Sequence, residues 1–188
     1  MNELGLQIGA VLPWFVVDPE QQYTRVSVPT EYVATWGDLL RDAFRRCYIS
    51  DELLAERTQA TQSTPAEILA AKLPDAGSVM SGDFGEIIGY IYLASRGQST
   101  IPSGPKRWRL KQDRTKAAPG SDVVQFTLPQ WPQASAEDRV FCAEVKAKAT
   151  ASTFSPIAMA IEGSQKDSTS RYYALDARML LCYCCLRD

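Results

Sequence analysis

A mixed α+β fold is what this sequence predicts, on three observations. Apolar residues recur at helical spacing through two long runs, one from Pro29 and one from Ser81. Three short runs between Lys106 and Lys148 alternate or are rich in β-branched residues, with turn residues between them. A further helical pattern starts near Ser155. Helices that precede a sheet, with another after it, place the chain in the α+β (mixed α/β) class. The 188 residues, 45% hydrophobic and 22% charged, suit one sizeable soluble core. We read residues 1–188 as a single domain, with an N-terminal strand and helical region over 1–76 and a sheet-bearing core over 77–188.

The opening "MNELGLQIGAVLPWFVVDPE" reads as a strand or strand pair. It carries an acidic residue where a signal peptide needs basic ones, and Pro13 breaks its apolar run. Nothing approaches the roughly 20 apolar residues of a membrane span. A cytoplasmic protein with no membrane partner is therefore expected. "PTEYVATWGDLLRDAFRRCYI" sets Val33, Trp36, Leu40, Ala43, Phe44 and Cys47 at helical spacing. "SDELLAERT" is a short helix from Ser50, and "ERTQATQST" an exposed connector. In "STPAEILAAKLP", Thr64 caps, Pro65 takes the first helical position, Glu67 completes a capping box and Pro74 stops the helix.

"SGDFGEIIGYIYLASRG" predicts a helix from Ser81 to Ser95, closed by Gly97, with Phe84, Ile87, Ile88, Ile91 and Ala94 as its buried stripe. Glu86 lies off that stripe, on the side shared by Asp83 and Tyr90. Gly82, Gly85 and Gly89 also recur at helical spacing. An interior glycine costs about 1 kcal/mol relative to alanine, so either tight packing or some other close neighbour of this backbone is implied. "KRWRLK" alternates like a strand, "DRTKAAPGS" is a loop, "DVVQFTL" a strand, "PQWPQASAEDR" a loop and "VFCAEVKAK" the next strand. "SPIAMAIEGSQKD" is a helix capped near Ser155 with Pro156 first. "SRYYALDARMLLCYCCLRD" leans to helix, with a short strand before it as the alternative.

Composition excludes several chemistries. There is no histidine, so no Ser–His–Asp or Cys–His pair and no imidazole base. The five cysteines, three of them at Cys182, Cys184 and Cys185, read as reduced thiols, and a zinc site lacks ligands. A net charge of −2 argues against a wholly basic nucleic-acid binder but leaves room for local patches.

Chemistry is left to carboxylates and lysines. Asp122 follows the Pro119–Gly120 turn and opens a strand, where it would cap the turn or serve a site. In "CAEVKAK", Val140, Cys142, Glu144, Lys146 and Lys148 point one way, and Phe141, Ala143, Val145 and Ala147 the other. The second set is a core face. The first turns charged, as a strand emerging into water or a site would. Taken singly, a Glu-x-Lys is an ordinary solvated pair worth roughly 0.2–1 kcal/mol. If the two strands pair as an antiparallel hairpin, Asp122 meets Glu144 and Lys146. Two carboxylates and a strand carbonyl then suit a hard cation such as Mg²⁺.

The order of Glu86 on a helix, "GSD" at Asp122 and "EVK" at Glu144 to Lys146 resembles the PD-(D/E)xK nuclease superfamily. That resemblance implies a core of helix, three-stranded meander and helix. It also implies a metal-dependent nuclease cleaving phosphodiester bonds, with DNA the expected substrate. Residues 81–150 look most similar to the nuclease subunit of Hachiman anti-phage defence systems, which works with a partner helicase. The implied catalytic set is Glu86, Asp122, Glu144 and Lys146, with Asp122, Glu144 and Glu86 binding Mg²⁺ or Mn²⁺. The alternative is a non-catalytic module on the same fold that binds nucleic acid or the helicase. Arg107, Arg109 and Lys111 alternate onto one face of the expected basic strand, where they would hold phosphates or protect a sheet edge. Lys148 is a further phosphate contact, and Gln165 and Lys166 are weaker ones.

Overall fold

In the computed structural model, residues 3–19, 24–96, 104–148, 153, 155–170 and 182–184 are described. The chain opens with a short helix, α1 (Ile8–Val11), and a 3-10 turn at Leu12–Trp14. The strands β1 (Val16–Pro19) and β2 (Thr24–Ser27) then pair antiparallel. Of the opening stretch expected as a strand or strand pair, only Val16–Pro19 is strand; residues 8–14 are helical and bury Trp14, and the partner strand β2 lies beyond the stretch.

Helix α2 (Thr30–Tyr48) follows, and its second half is the buried part, with Leu40, Ala43, Cys47 and Tyr48 inside. Val33, expected in the apolar stripe, is exposed. Ser50 caps α3 (Asp51–Thr61) by accepting from the Leu53 amide at 3.2 Å. Thr64 and Glu67 form the predicted capping box of α4 (Pro65–Ala70). The polar connector proves shorter than expected, because α3 runs on through Thr61.

Helix α5 (Ser78–Arg96) is the long central helix. Its buried face is Asp83, Glu86, Ile87, Tyr90 and Ile91, so the stripe is rotated from the predicted one. Phe84 is exposed and stacks on Phe44 at 5.3 Å. The apolar core runs continuously from Leu4, Val11, Trp14 and Phe15 through α2 to Ile87, Tyr90, Ile91, Trp108 and Val123.

"KRWRLK" is not a strand. Arg107–Leu110 form a 3-10 turn. In a strand Trp108 and Leu110 would share a face; here Trp108 is buried edge-on against Tyr90 at 6.0 Å and Leu110 is exposed. The cause is charge. Lys106 and Arg109 both reach Glu3, Arg107 turns to Glu86 and Asp122, and Lys111 to Asp83, so no single strand face serves them all.

Among the described residues the sheet is therefore not a meander of three consecutive strands. Strands β3 (Val123–Thr127) and β4 (Arg139–Ala143) pair antiparallel, Val123 opposite Ala143 and Thr127 opposite Arg139. Helix α6 (Pro156–Ser170) follows as predicted. Strand β5 (Cys182–Cys184) pairs parallel to β4, in register Val140 to Cys182. The expected helix in the C-terminal run thus gives way to a strand at its cysteines, while "SRYYAL" and Cys185 lie outside the described residues. The architecture is mixed α plus β. Among the described residues no helix is long and apolar enough to cross a membrane.

The glycines of α5 are explained by what lies against them. A Cβ at Gly85 would stand 2.7 Å from the Ala147 Cβ, and one at Gly89 3.3 Å from Val145 Cγ2, whereas Gly82 has nothing within 4 Å. Close approach of the segment after β4 is the reason for the first two. Gly85→Ala is expected to cost about 1–3 kcal/mol through overpacking. Gly82→Ala should gain up to about 1 kcal/mol of helix propensity. Urea denaturation of the two single variants reads the opposite signs directly.

Candidate functional site

The β3–β4 hairpin brings the predicted acids together. Regular pairing stops at Val123 and Ala143. One step further, the Asp122 side chain replaces the ladder: its Oδ2 accepts from the Val145 amide at 2.8 Å. This is why β4 ends at Ala143 although the alternating pattern continues to Lys148. Val145 and Ala147, expected on a core face, pack against α5. Glu144 and Lys146 turn to the other side, where Lys146 Nζ pairs directly with Glu144 Oε1 and lies 3.8 Å from Asp122 Oδ2.

Glu86 enters from α5 and is buried. Its Oε2 accepts from Trp108 Nε1 at 3.0 Å and faces Arg107 Nη2 at 2.7 Å. The same Nη2 lies 2.8 Å from Asp122 Oδ1. Arg107 thus stands between Glu86 and Asp122, and Lys146 between Asp122 and Glu144. Helix α6 closes on Glu144, since a Cβ at Gly163 would stand 2.5 Å from Glu144 Oε1.

These surroundings set the protonation states. Burial raises the Glu86 pKa, and Asp122 adds to the rise; the Arg107 guanidinium opposes both but does not cancel them. Burial alone would lower the Lys146 pKa, but the hydrogen bond to Glu144 and the charges of Asp122, Glu144 and Glu86 outweigh it and raise it. Lys146 is therefore an ammonium at neutral pH.

The basic residues need correction. Arg107, Lys111 and Lys106 are buried. Lys111 Nζ binds Asp83 Oδ2 at 2.5 Å, and Lys106 Nζ binds Glu3 at 2.9 Å and caps the Tyr90 ring at 5.5 Å. Arg109 donates to the Arg46 carbonyl at 2.8 and 3.1 Å. No shared strand face offers Arg107, Arg109 and Lys111 to phosphates. Lys148 is exposed at the end of the Glu144–Lys148 stretch. Gln165 and Lys166 are exposed on α6, Lys166 pairing with Glu162 at 2.5 Å.

Sequence reasoning missed Arg107 as a member of the acidic cluster and Gly163 as its neighbour. A signal was present for the first. Asp83 and Glu86 lie three apart on a helix, and Arg107 and Lys111 four apart in the next basic stretch, so two acid–base pairs can form across two elements.

Two carboxylates bridged by one ammonium at the open end of a β hairpin, backed by a glycine-faced helix, define a small mixed α+β protein with an acid–lysine centre. The sequence pattern of the HamA family matches residues 20–180, and the chain belongs to that family. Membership ties it to Hachiman anti-phage defence. No curated protein and no solved structure matches the chain.

Proposed function

We propose that this chain is the metal-dependent nuclease of its defence system, cleaving phosphodiester bonds of DNA. One observation carries the reading: Lys146 bridges Asp122 and Glu144, residues 22 positions apart in the numbering, at one point. The donor set fits a hard divalent cation, because it is carboxylate oxygen with neither imidazole nor thiolate. Among the described residues no group of three acidic or thiol side chains is placed to hold a metal ion. Glu86 is engaged by Arg107 and Trp108, which leaves Asp122 and Glu144 as the pair that would hold Mg²⁺ or Mn²⁺. Two carboxylates suffice for Mg²⁺, which commonly keeps waters and takes substrate phosphate oxygens as its other ligands.

When bound, such a cation supplies Lewis-acid polarisation and a more acidic water. The chain's own residues do the rest. Lys146, held as ammonium, is suited to neutralise phosphate charge rather than to accept a proton. Arg107 keeps Glu86 and Asp122 from repelling each other. Exposed Lys148 and Lys166 would meet a phosphate backbone, and a helicase partner would supply the strand to be cut. A non-catalytic module is the second reading. It is favoured by the cation already found on each of the three carboxylates, as in a structural ion-pair network.

Cleavage separates the two, and calorimetric titration with Mn²⁺ tests the metal pair. The wild-type chain should bind, and Asp122→Ala should lose the signal. Cleavage of labelled DNA and RNA with Mg²⁺, with and without the helicase, is the companion measurement. An isotherm unchanged in Asp122→Ala removes Asp122 from the site.

A further inference from the structure

Arg107 makes more polar contacts than any ion pair requires. Nη1 donates to the Ala118 carbonyl at 2.9 Å and to the Gly120 carbonyl at 2.8 Å. Nη2 reaches Glu86 Oε2 at 2.7 Å and Asp122 Oδ1 at 2.8 Å. The guanidinium is buried, so these four contacts hold a planar group in one orientation. Two of them fix the turn that ends at Asp122, and a third fixes the carboxylate itself. The other oxygen, Oδ2, is then presented to the Val145 amide at 2.8 Å and to Lys146 at 3.8 Å.

We propose that Arg107 is the positioning residue for Asp122. It holds Oδ1 on the α5 side, which turns Oδ2 to the Val145 amide and to Lys146, the side where Glu144 lies. A carboxylate gripped on one oxygen has only the other to offer a cation shared with Glu144. Outer partners of this kind orient a metal-binding carboxylate, and their loss typically weakens metal binding by about 10–100-fold. Lysine cannot replace the fork, because an ammonium is a point charge without two nitrogens at fixed spacing. The use of this orientation in metal binding rests on the nuclease reading; the orientation itself does not.

Arg107→Lys tests it, with the charge kept and the fork removed. In the folded variant, amide exchange at Val145 should be at least about 10-fold faster than in wild type, while the β3–β4 ladder keeps its protection. Mn²⁺ affinity should fall by about 10–100-fold in the same protein. A Val145 amide that exchanges as in wild type overturns the proposal, because a role confined to tying down the 118–120 turn would leave that amide alone. If wild type binds no Mn²⁺, the nuclease reading fails, and the Val145 amide still decides the positioning. If Arg107→Lys does not fold, Asp122→Ala gives the mirror reading. The Nη2 protons of Arg107 should exchange faster once one of their two carboxylate partners is gone and only Glu86 remains, and unchanged signals would overturn the proposal.

Discussion

Asp83→Ala is expected to destabilise the protein by about 3–5 kcal/mol, the usual cost of leaving one member of a buried ion pair alone. Asp83 and Lys111 are 3% and 1% exposed at their side chains, and Lys111 Nζ sits 2.5 Å from Asp83 Oδ2. The same oxygen accepts from the Tyr48 hydroxyl at 2.6 Å. Burial and the hydrogen bond to Asp83 push the Tyr48 phenol above its ordinary range, so it stays a neutral donor. Lys111 also stands 5.9 Å from the Tyr48 ring centre. Removing the carboxylate strands an ammonium among α2, α5 and the 3-10 turn, where water does not reach it. Against a typical total of about 5–15 kcal/mol, that loss is large enough to unfold much of the population. The double change Asp83→Leu with Lys111→Met should recover the part of the loss that comes from the orphaned charge, falling short of wild type by about 1–3 kcal/mol for the Tyr48 hydroxyl left without its acceptor. Urea denaturation of Asp83→Ala and of the double variant measures both. A single variant within 1 kcal/mol of wild type, well under the cost expected for an orphaned buried charge, would mean that solvent reaches Lys111.

This buried pair also marks the limit of what the sequence discloses. Local signals read well. Thr64, Pro65 and Glu67 set the start of α4, and Ser50 the start of α3, because caps act within three residues. The alternation in "CAEVKAK" assigned Val145 and Ala147 to a core face, which the structure places against α5, and Gly85 and Gly89 of α5 have the close neighbour that their helical spacing implied. The meeting of Asp122 with Glu144 and Lys146 was legible only on the condition that the two strands pair as a hairpin, and they do.

What failed depended on partners distant in sequence. "KRWRLK" has a period of two, yet Glu3, Asp83, Glu86 and Asp122 draw its cations in different directions, and a 3-10 turn serves them better than a strand. The same pull rotates α5. Asp83 and Glu86 go inside because cations meet them there, and Phe84 is left outside. The strand at Cys182–Cys184 could not be told from a helix, since a short apolar run carries no decisive period and its parallel neighbour β4 lies about 40 residues back.

Lys146→Ala is expected to slow cleavage by at least ~100-fold, the scale of losing one electrostatic or acid–base group at a reacting phosphate. Metal binding should survive the change. Lys146 is the cation now shared by Asp122 and Glu144, so its removal leaves the two carboxylates in place and takes away a competing charge. Nucleic-acid binding should change little, because a 27%-exposed side chain engaged by two carboxylates contributes less to an open phosphate track than exposed Lys148 does. The pattern to look for is therefore intact Mn²⁺ titration, near-normal DNA binding and lost turnover. Since its partners raise the Lys146 pKa, the group is an ammonium throughout the neutral range. Activity should show no deprotonation step from this residue below its ordinary lysine pKa. Lys146→Arg then becomes informative. It keeps the positive charge but needs more room beside Glu144, where α6 already closes at Gly163. Partial rescue by arginine would assign Lys146 a purely electrostatic role, and full activity in Lys146→Ala would reduce "CAEVKAK" to a strand end with a surface ion pair.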